Sequence, residues 1–537
     1  MSTVPPDDAG PPEPPPPEPP PPDDTAVAPV PADDTVASDD AADAADADAD
    51  PVVRRPRRRR TSTRWVVASG VLALLGVLAV VAGMVVDRDV AVAAGAPPDR
   101  RASTPVLSAR RTPEYVARPV AARAVQAAVA PVVARAPAES CIEVNDGAAA
   151  LVASKDTTAL APASNMKLLT TSAALDLLGP ETRLSTRLQS ATAPADGTVT
   201  GDLFMVGGGD PLLGTSTYST RMTHGPQPLT SMESVADQVV AAGVRRITGS
   251  VVGDGSRYDD QRTATDWPDR YVGQGLVGNL GALMVNDAWT IDPVDPAGSK
   301  GGPAADPAAH AADVLTTLLR ARGVQVDGPP RSGSVPPGAV TVADVPSLTV
   351  RELVGETLTF SDNTSAELLL KELGRTAGGA GTTQAGIAAV RQWLTDQNLP
   401  IDGVEMVDGS GLSDQDRVSC ALVGLLLRRG GADGVIAGAL ARPGQPGTLD
   451  DRFTGPDLVD RLRAKTGTLR NVAALSGWLT TGSGRPLQFS IIENTGGREV
   501  QGADLAVQGD LLRALLPYPQ TPPMEQLVPR PPVPAAG

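Results

Sequence analysis

A serine and a lysine stand three residues apart in the stretch Leu160–Thr171, which reads LAPASNMKLLTT. Pro162 precedes the pair and an apolar run follows it, a pattern typical of a helix start. The side chains of Ser164 and Lys167 should therefore lie on one helix face. A lysine with a lowered pKa can take the proton of a serine hydroxyl and make that hydroxyl a nucleophile. Taken alone, however, so short a pattern favours the plainer interpretation of an amphipathic helix.

Two further short motifs carry residue types suited to the same kind of site. Ser361–Asn363, with the sequence SDN, stands at a predicted helix start, where a hydroxyl and an amide could reach into a cleft. Lys465–Thr468, with the sequence KTGT, precedes a predicted strand hairpin. There a lysine cation and a small glycine would let a substrate backbone lie alongside. Either motif alone would be an ordinary helix cap or a surface charge.

Composition restricts the other kinds of chemistry. The chain has 537 residues and a net charge of −16, which argues against a nucleic-acid-binding protein because such a protein should carry a basic face. The two cysteines, Cys141 and Cys420, are too few for a cysteine-rich metal site. The two histidines, His224 and His310, leave little for zinc chemistry or a serine–histidine site. We therefore expect no metal and no cofactor, and lysine as the base of any serine chemistry.

The N-terminal part predicts a membrane anchor. Residues 1–64 are rich in proline, alanine and aspartate and end in an arginine run, which predicts a disordered cytoplasmic tail. Trp65–Val86 is an uncharged run of about 22 residues, long enough to cross a bilayer. The arginines before it should stay in the cytoplasm, which places the rest of the chain outside the membrane. Cleavage near Ala91–Ala93 is the alternative to a retained anchor.

The rest of the chain divides by its patterning. Residues 87–138 predict a linker, and a strand hairpin should open the globular part near Cys141. Residues 184–335 alternate short apolar runs with turn residues, which predicts a β-rich insertion. Gly273–Gly278 matches the dinucleotide pattern GxGxxG, but no strand is predicted before it, so we interpret it as a loop. Residues 518–537 predict a proline-rich tail.

In the order serine–lysine, SDN and KTGT, the motifs form the signature of penicillin-binding proteins and serine β-lactamases. More specifically, the chain resembles the class C low-molecular-mass penicillin-binding proteins. These are the D-Ala-D-Ala carboxypeptidases and endopeptidases of peptidase family S13, typified by penicillin-binding protein 4. The resemblance lies within residues 139–517 and is carried by Pro162–Thr171, Gly201–Leu213, Ser361–Gly374, Asp408–Ser413 and Lys465–Thr468.

The resemblance implies the fold class. It is α/β (α+β), with a penicillin-binding protein/β-lactamase-like peptidase domain over residues 139–183 and 336–517. A β-rich inserted domain over residues 184–335 should split it. The long separation between Ser164 and Ser361 accommodates that insertion.

The resemblance also implies residue roles. Ser164 should attack the carbonyl of the penultimate D-alanine, with Lys167 as its base. Ser361 should relay a proton to the leaving amine with the help of Lys465, while Asn363 positions Lys167 and the substrate amide.

Other residues of the motifs would bind the substrate. The backbone N–H groups of Ser164 and Thr468 should form the oxyanion hole. Thr466 and Thr468, on either side of Gly467, should hold the terminal carboxylate of a peptide or a penicillin. Asp362 receives no role, and Asp408–Ser413 is interpreted as a structural turn near the site.

These roles predict peptidoglycan stem peptides as substrate and β-lactams as inhibitors, with carboxypeptidase and endopeptidase activity both open. A β-lactamase is one alternative, although only Glu367 and Glu372 could supply an added carboxylate for deacylation and both are predicted to face solvent. A non-catalytic scaffold that binds the cell wall is another. Outside the membrane, Cys141 and Cys420 could form a disulfide or remain two buried thiols.

Overall fold

The computed structural model describes residues 114–222, 224, 227–295 and 300–520. The predicted tail, the predicted anchor Trp65–Val86 and the end of the chain from residue 521 lie outside this part. Among the described residues, no helix is long and apolar enough to cross a membrane.

Helices are distributed along the whole described part of the chain. They are α1 (Glu114–Val133), α2 (Met166–Leu177), α3 (Ser216–Ser219), α4 (Met232–Ala241), α5 (Arg270–Gly273), α6 (Pro307–Ala321), α7 (Val350–Thr359), α8 (Asn363–Thr376), α9 (Thr383–Asp396), α10 (Cys420–Gly430), α11 (Val435–Ala439) and α12 (Gly502–Leu515).

Most strands are short, and the longer ones lie at the two ends of the described part or flank the insertion. They are β1 (Glu139–Asp146), β2 (Ala149–Ser154), β3 (Ala159–Leu160), β4 (Arg183–Ser190), β5 (Thr198–Val199), β6 (Leu203–Val206), β7 (Leu213–Gly214), β8 (Thr230–Ser231), β9 (Arg246–Ile247), β10 (Val251–Asp254), β11 (Trp289–Ile291), β12 (Lys300–Pro303), β13 (Gln325–Val326), β14 (Arg331–Ser332), β15 (Val340–Thr349), β16 (Val418–Ser419), β17 (Leu462–Leu469), β18 (Val472–Thr480) and β19 (Pro486–Asn494).

The first sheet is antiparallel, with the strand order β17-β18-β19-β1-β2. Its side chains alternate between two apolar cores, as the pleat of a strand requires. Cys141 and Ile492 face a core shared with α2, α7, α8, α9 and α10, whereas Ile142 and Ile491 face α1 and α12. The sheet is therefore covered by helices on both faces, in a mixed α/β arrangement.

The prediction of a linker over residues 87–138 is wrong for its C-terminal part, because the second half of α1 packs on the domain. Ala121, Val125, Val129 and Val132 are buried in the core with α12 and β2. Their spacing of three to four residues gives one apolar stripe along the helix. Pro119 and Pro131 lie inside α1 and hid this periodicity in the sequence.

The second sheet belongs to the insertion and has the order β14-β10-β6-β4-β15. Its strands β14, β10 and β6 run parallel to one another. Strand β4 pairs antiparallel with β6, and β15 pairs antiparallel with β4. The apolar faces of α4 and α6 cover it, so the insertion is mixed α/β rather than β-rich as predicted. Because β15 pairs with β4, this sheet continues to Thr349 rather than ending at the predicted residue 335.

A disulfide joins Cys141 on β1 to Cys420, the first residue of α10, across 279 residues of sequence. Both cysteines are fully buried. The bond fastens α10 to the first sheet in the core that also contains the serine helix α2.

Candidate active site

Ser164 lies in a 3-10 turn, Ala163–Asn165, just ahead of α2. The predicted helix start at Ser164 is therefore two residues early, because the chain first makes this tighter turn. Ala163 has a φ of +47°, a conformation that is rare for a residue with a side chain. A Cβ on Gly411 would lie 1.9 Å from the carbonyl oxygen of Ala163, so only glycine fits against the turn.

Lys167 projects from the first turn of α2 and is completely buried. Its Nζ lies 3.0 Å from Ser164 Oγ, 2.6 Å from Asn363 Oδ1 and 2.8 Å from the carbonyl oxygen of Ser410. A neutral amine has two N–H donors and one lone pair. The amide of Asn363 and the carbonyl of Ser410 can accept the two N–H groups, which leaves the lone pair to accept the Ser164 hydroxyl.

Burial lowers the pKa of Lys167 to about 8, and it does so against the opposing effect of Asp408 and Glu367. Desolvation disfavours the charged ammonium more than the neutral amine. A substantial fraction of Lys167 is therefore neutral in mildly alkaline solution, as a general base must be.

The SDN motif forms the start of α8. Asp362, to which the sequence assigned no role, is the N-cap and accepts a hydrogen bond from the Ser365 N–H at 2.8 Å. Ser361 lies before it with a φ of +63°, a second strained residue at the site. Asn363 Oδ1 accepts from Lys167, and Asn363 Nδ2 donates to the carbonyl oxygen of Leu276 at 2.6 Å. Its amide is thus held at both ends.

Lys465 on β17 is also completely buried. Its Nζ donates to Ser361 Oγ and to the Thr466 carbonyl oxygen, both at 2.8 Å. Burial and the nearby charge of Lys167 lower the pKa of Lys465 well below its usual range. The structure thus contains a second serine–lysine pair beside the first.

Gly467 lets β17 approach the serine turn. A Cβ at this position would lie 2.8 Å from the Pro162 carbonyl oxygen and 3.3 Å from the Ala163 Cβ. Real Cβ atoms very rarely make contacts as close as the first, so a side chain here would push the strand and the turn apart. This contact explains why the KTGT motif needs glycine at its third position.

The motifs meet in one cleft with a volume of about 620 Å³. It is lined by residues of all three motifs, namely Ser164, Ser361, Asn363, Thr466 and Thr468. Arg270, Arg452 and Arg470 also line the cleft, together with Asp450 and Asp451, so its wall carries charged side chains of both signs.

The turn Asp408–Ser413 lies behind the lysine. Asp408 accepts hydrogen bonds from the N–H groups of Ser410, Gly411 and Ser413 and from the indole N–H of Trp267 in the insertion. The turn is structural, as interpreted, but its Ser410 carbonyl is also a direct partner of Lys167.

The prediction that Glu367 and Glu372 face solvent is wrong, because both are buried. Glu372 pairs with Arg257 and Tyr258 of the insertion. Glu367 lies behind Lys167, four residues after Asn363 and so on the same helix face. That spacing was the signal in the sequence that could have placed Glu367 at the site.

The segment Gly273–Gly278 contacts residues of the candidate site, which its sequence pattern did not predict. It is a loop after the short helix α5, as predicted. Beyond that, the Leu276 carbonyl accepts from Asn363, and the Gly278 N–H donates to Thr364 Oγ1 at 3.1 Å. Leu276 also lines the cleft with 43% of its surface exposed. Across the described ranges, no group of three or more histidine, cysteine or acidic side chains could hold a metal ion.

Comparison with known proteins agrees with this geometry. Residues 124–305 and 303–514 match the D-Ala-D-Ala carboxypeptidase 3 (S13) family. A D-alanyl-D-alanine carboxypeptidase of Actinomadura sp. (strain R39) is 29% identical over 434 residues, which cover 67% of this chain and 77% of that protein. A carboxypeptidase of Mycobacterium tuberculosis is 30% identical over 362 residues, covering 64% of this chain and 73% of that one.

The fold is that of a solved relative. The crystal structure of penicillin binding protein 4 from Haemophilus influenzae superposes with a TM-score of 0.61, at 18% identity, over 73% of this chain and 99% of that one. Because the family match extends over most of the described residues, the chain belongs to the D-Ala-D-Ala carboxypeptidase (S13) family, the class C penicillin-binding proteins of the penicillin-binding protein 4 type.

Proposed function

We propose that the chain removes the terminal D-alanine from peptidoglycan stem peptides through an acyl-enzyme on Ser164. The class of enzyme, a serine D-Ala-D-Ala carboxypeptidase or endopeptidase, follows from the family; the residue roles are our proposal. The main support for these roles is the environment of Lys167. Asn363 and Ser410 can accept the two N–H groups of a neutral amine, and Ser164 can donate to its lone pair.

Acylation begins when Ser164 Oγ attacks the carbonyl carbon of the penultimate D-alanine. The hydroxyl proton passes to Lys167 Nζ, and the carbonyl oxygen gains the negative charge of the tetrahedral intermediate. The backbone N–H groups of Ser164 and Thr468, both at the cleft, would stabilise that charge.

Collapse of the intermediate breaks the peptide bond and needs a proton on the departing nitrogen. Ser361, hydrogen-bonded to Lys465, would pass its hydroxyl proton to that nitrogen and take a replacement proton from Lys465. Thr466 and Thr468 line the same cleft and would bind the terminal carboxylate. Water then hydrolyses the ester on Ser164 and restores the hydroxyl.

The location of this activity is also part of the proposal. The uncharged run Trp65–Val86, with arginines before it, supports an anchor that leaves the catalytic part outside the membrane beside the cell wall. Accessibility of residues after 114 to a protease added to intact cells would test this arrangement. Protection of those residues in intact cells, with cleavage after lysis, would contradict it.

Labelling with a fluorescent penicillin, together with release of D-alanine from an acylated peptide ending in D-Ala-D-Ala, tests the chemistry. Ser164→Ala should abolish both signals, whereas Ser334→Ala, at an exposed serine of the insertion, should change neither. Wild-type labelling no stronger than that of Ser164→Ala would disprove the acyl-enzyme. Rapid turnover of the penicillin would favour a β-lactamase, and labelling without D-alanine release would favour a non-catalytic role.

A further inference from the structure

Glu367 is a buried carboxyl to which the proposed mechanism gives no role. It projects from α8 and has no solvent exposure. Its Oε1 accepts hydrogen bonds from the N–H groups of Gly409 at 3.0 Å and Ser410 at 2.8 Å. Its Oε2 makes no hydrogen bond within the described part of the chain. Burying a carboxyl oxygen without a hydrogen-bond partner costs free energy, which indicates that Glu367 has a role other than packing.

Ser410 connects this carboxyl to the base. The N–H of Ser410 donates to Glu367, and the carbonyl oxygen of the same residue accepts from Lys167 Nζ at 2.8 Å. Ser410 is therefore fixed on both sides. Without Glu367, the Ser410 N–H would keep only its longer hydrogen bond to Asp408 Oδ1, at 3.1 Å. The Ser410 carbonyl would then be held less firmly against Lys167, where it is one of the two acceptors of the amine.

We propose that Glu367 is a positioning residue for Lys167, acting as an uncharged carboxyl that holds the Ser410 carbonyl against the amine. The inference rests on the proposed acylation of Ser164. An uncharged Glu367 accepts both N–H groups through Oε1 without placing a negative charge beside the lysine. An ionised Glu367 would stabilise the ammonium form of Lys167 and so shift the appearance of the neutral base to higher pH.

The charges around Glu367 support this protonation state. Lys167 faces it from α2, while Asp408 and Asp416 face it from the segment before α10. Burial, with the carboxylate of Asp408 as a second cause, raises the pKa of Glu367 to about 8. Burial likewise raises the pKa of Asp416 well above its usual range. Ionising Glu367 beside Asp408 would place two negative charges in a buried site.

The neighbouring groups on the other side of Lys167 follow the same pattern. Glu356 on α7 and Asp362 at the start of α8 both have pKa values raised mainly by burial. A raised pKa lowers the ionised fraction of each carboxyl at a given pH and so lessens the negative charge around Lys167.

Glu372 provides a matched comparison on the same helix. It is buried to a similar degree, but its oxygens are occupied by Arg257, Tyr258 and Thr376, none of which contacts Lys167. Glu372 therefore carries out the purely structural task of joining α8 to the insertion. A substitution there should lower stability and leave the titration of Lys167 unchanged.

The test measures the acylation rate constant for a fluorescent penicillin from about pH 6 to 10 in Glu367→Gln, Glu367→Ala and Glu372→Gln. Glutamine retains the acceptor and cannot ionise, so Glu367→Gln should acylate well. The midpoint of its pH profile should fall by about one unit, since no negative charge can then develop beside Lys167. Glu367→Ala leaves the Ser410 N–H with only the longer hydrogen bond to Asp408 and should acylate about 10- to 100-fold more slowly. Glu372→Gln should keep the wild-type midpoint.

An unchanged midpoint in Glu367→Gln would overturn the inference, as would a folded Glu367→Ala that acylates at the wild-type rate. If Glu367→Ala fails to fold, Glu367→Gln alone decides, because its midpoint reports on Lys167 and not on stability. Labelling of Ser164→Ala at the wild-type level would instead refute the proposed function. The two failures are thus distinguishable.

Discussion

Asn363 donates its side-chain N–H to the backbone carbonyl oxygen of Leu276 at 2.6 Å, across 87 residues of sequence. The oxygen of the same amide accepts from Lys167 at 2.6 Å. The loop of the insertion therefore fixes which atom of Asn363 faces the base. The amide oxygen of Asn363 thus positions Lys167, while one of its two N–H groups binds the loop of the insertion.

This relationship predicts the effect of Gly278→Ala. An added Cβ would lie 2.3 Å from the Asp287 carbonyl oxygen and 2.8 Å from the Met284 side chain, so the loop must move. Movement would withdraw the Leu276 carbonyl from Asn363 and lower the acylation rate constant about tenfold. Gly273→Ala, at the end of α5 just before this loop, meets no atom within 4 Å and should leave that rate unchanged. Equal rates for the two variants would show that the loop does not align the base.

The second prediction concerns the pH dependence of acylation. Lys167 acts only in its neutral form, and burial lowers its pKa to about 8. The rate should therefore be low in acid, rise through about pH 8 and level off above it. Stopped-flow acylation by a penicillin measures the profile. Lys167→Ala should remove the rise together with most of the rate, whereas Lys155→Ala, at an exposed lysine, should keep both. A rate unaffected by Lys167→Ala would exclude this lysine as the base.

The third prediction concerns the second serine–lysine pair. Ser361→Ala removes the hydroxyl that Lys465 contacts and that would carry the proton to the leaving nitrogen. D-alanine release should fall about 10²- to 10⁴-fold, the usual contribution of a positioned acid. Thermal unfolding of the variant serves as the control for folding. Release at the wild-type rate from a folded Ser361→Ala would show that the proton takes another route.

The motifs could be located from sequence because each is local. Pro162 and the SDN cap act within a few residues of the groups that they position. KTGT is recognisable as a short run, although its glycine packs against the distant serine turn. The start of α8 is equally local, since the sequence predicts it at the SDN motif and the structure has it at Asn363. Local patterning was sufficient in these cases.

The features that were missed depend on contacts between distant segments. The burial of Glu367 requires the turn at Gly409 and Ser410 to pack on α8, and helix periodicity alone does not say which polar residues such a turn covers. The role of Leu276 passes through its backbone carbonyl, which no side-chain pattern records. The sequences of β6 and β10 are those of any short strands. Their parallel pairing depends on the packing of α6 against β10, which the local pattern does not record.

The last prediction concerns the disulfide between Cys141 and Cys420, which closes a loop of 279 residues between β1 and α10. Neither cysteine lines the cleft, and both are fully buried in the core beneath α2. The double substitution Cys141→Ala and Cys420→Ala should lower the free energy of unfolding by about 2 to 5 kcal/mol, because the unfolded chain gains the freedom that the bond removed. Thermal unfolding with and without a reductant measures this loss. The reductant should destabilise the wild type and leave the double variant unaffected.

Acylation of the double variant, measured well below its unfolding temperature, should proceed at nearly the wild-type rate, since Ser164 and Lys167 keep all their hydrogen-bond partners. A double variant as stable as the oxidised wild type would show that packing around β1 and α10 holds the two elements together without the bond.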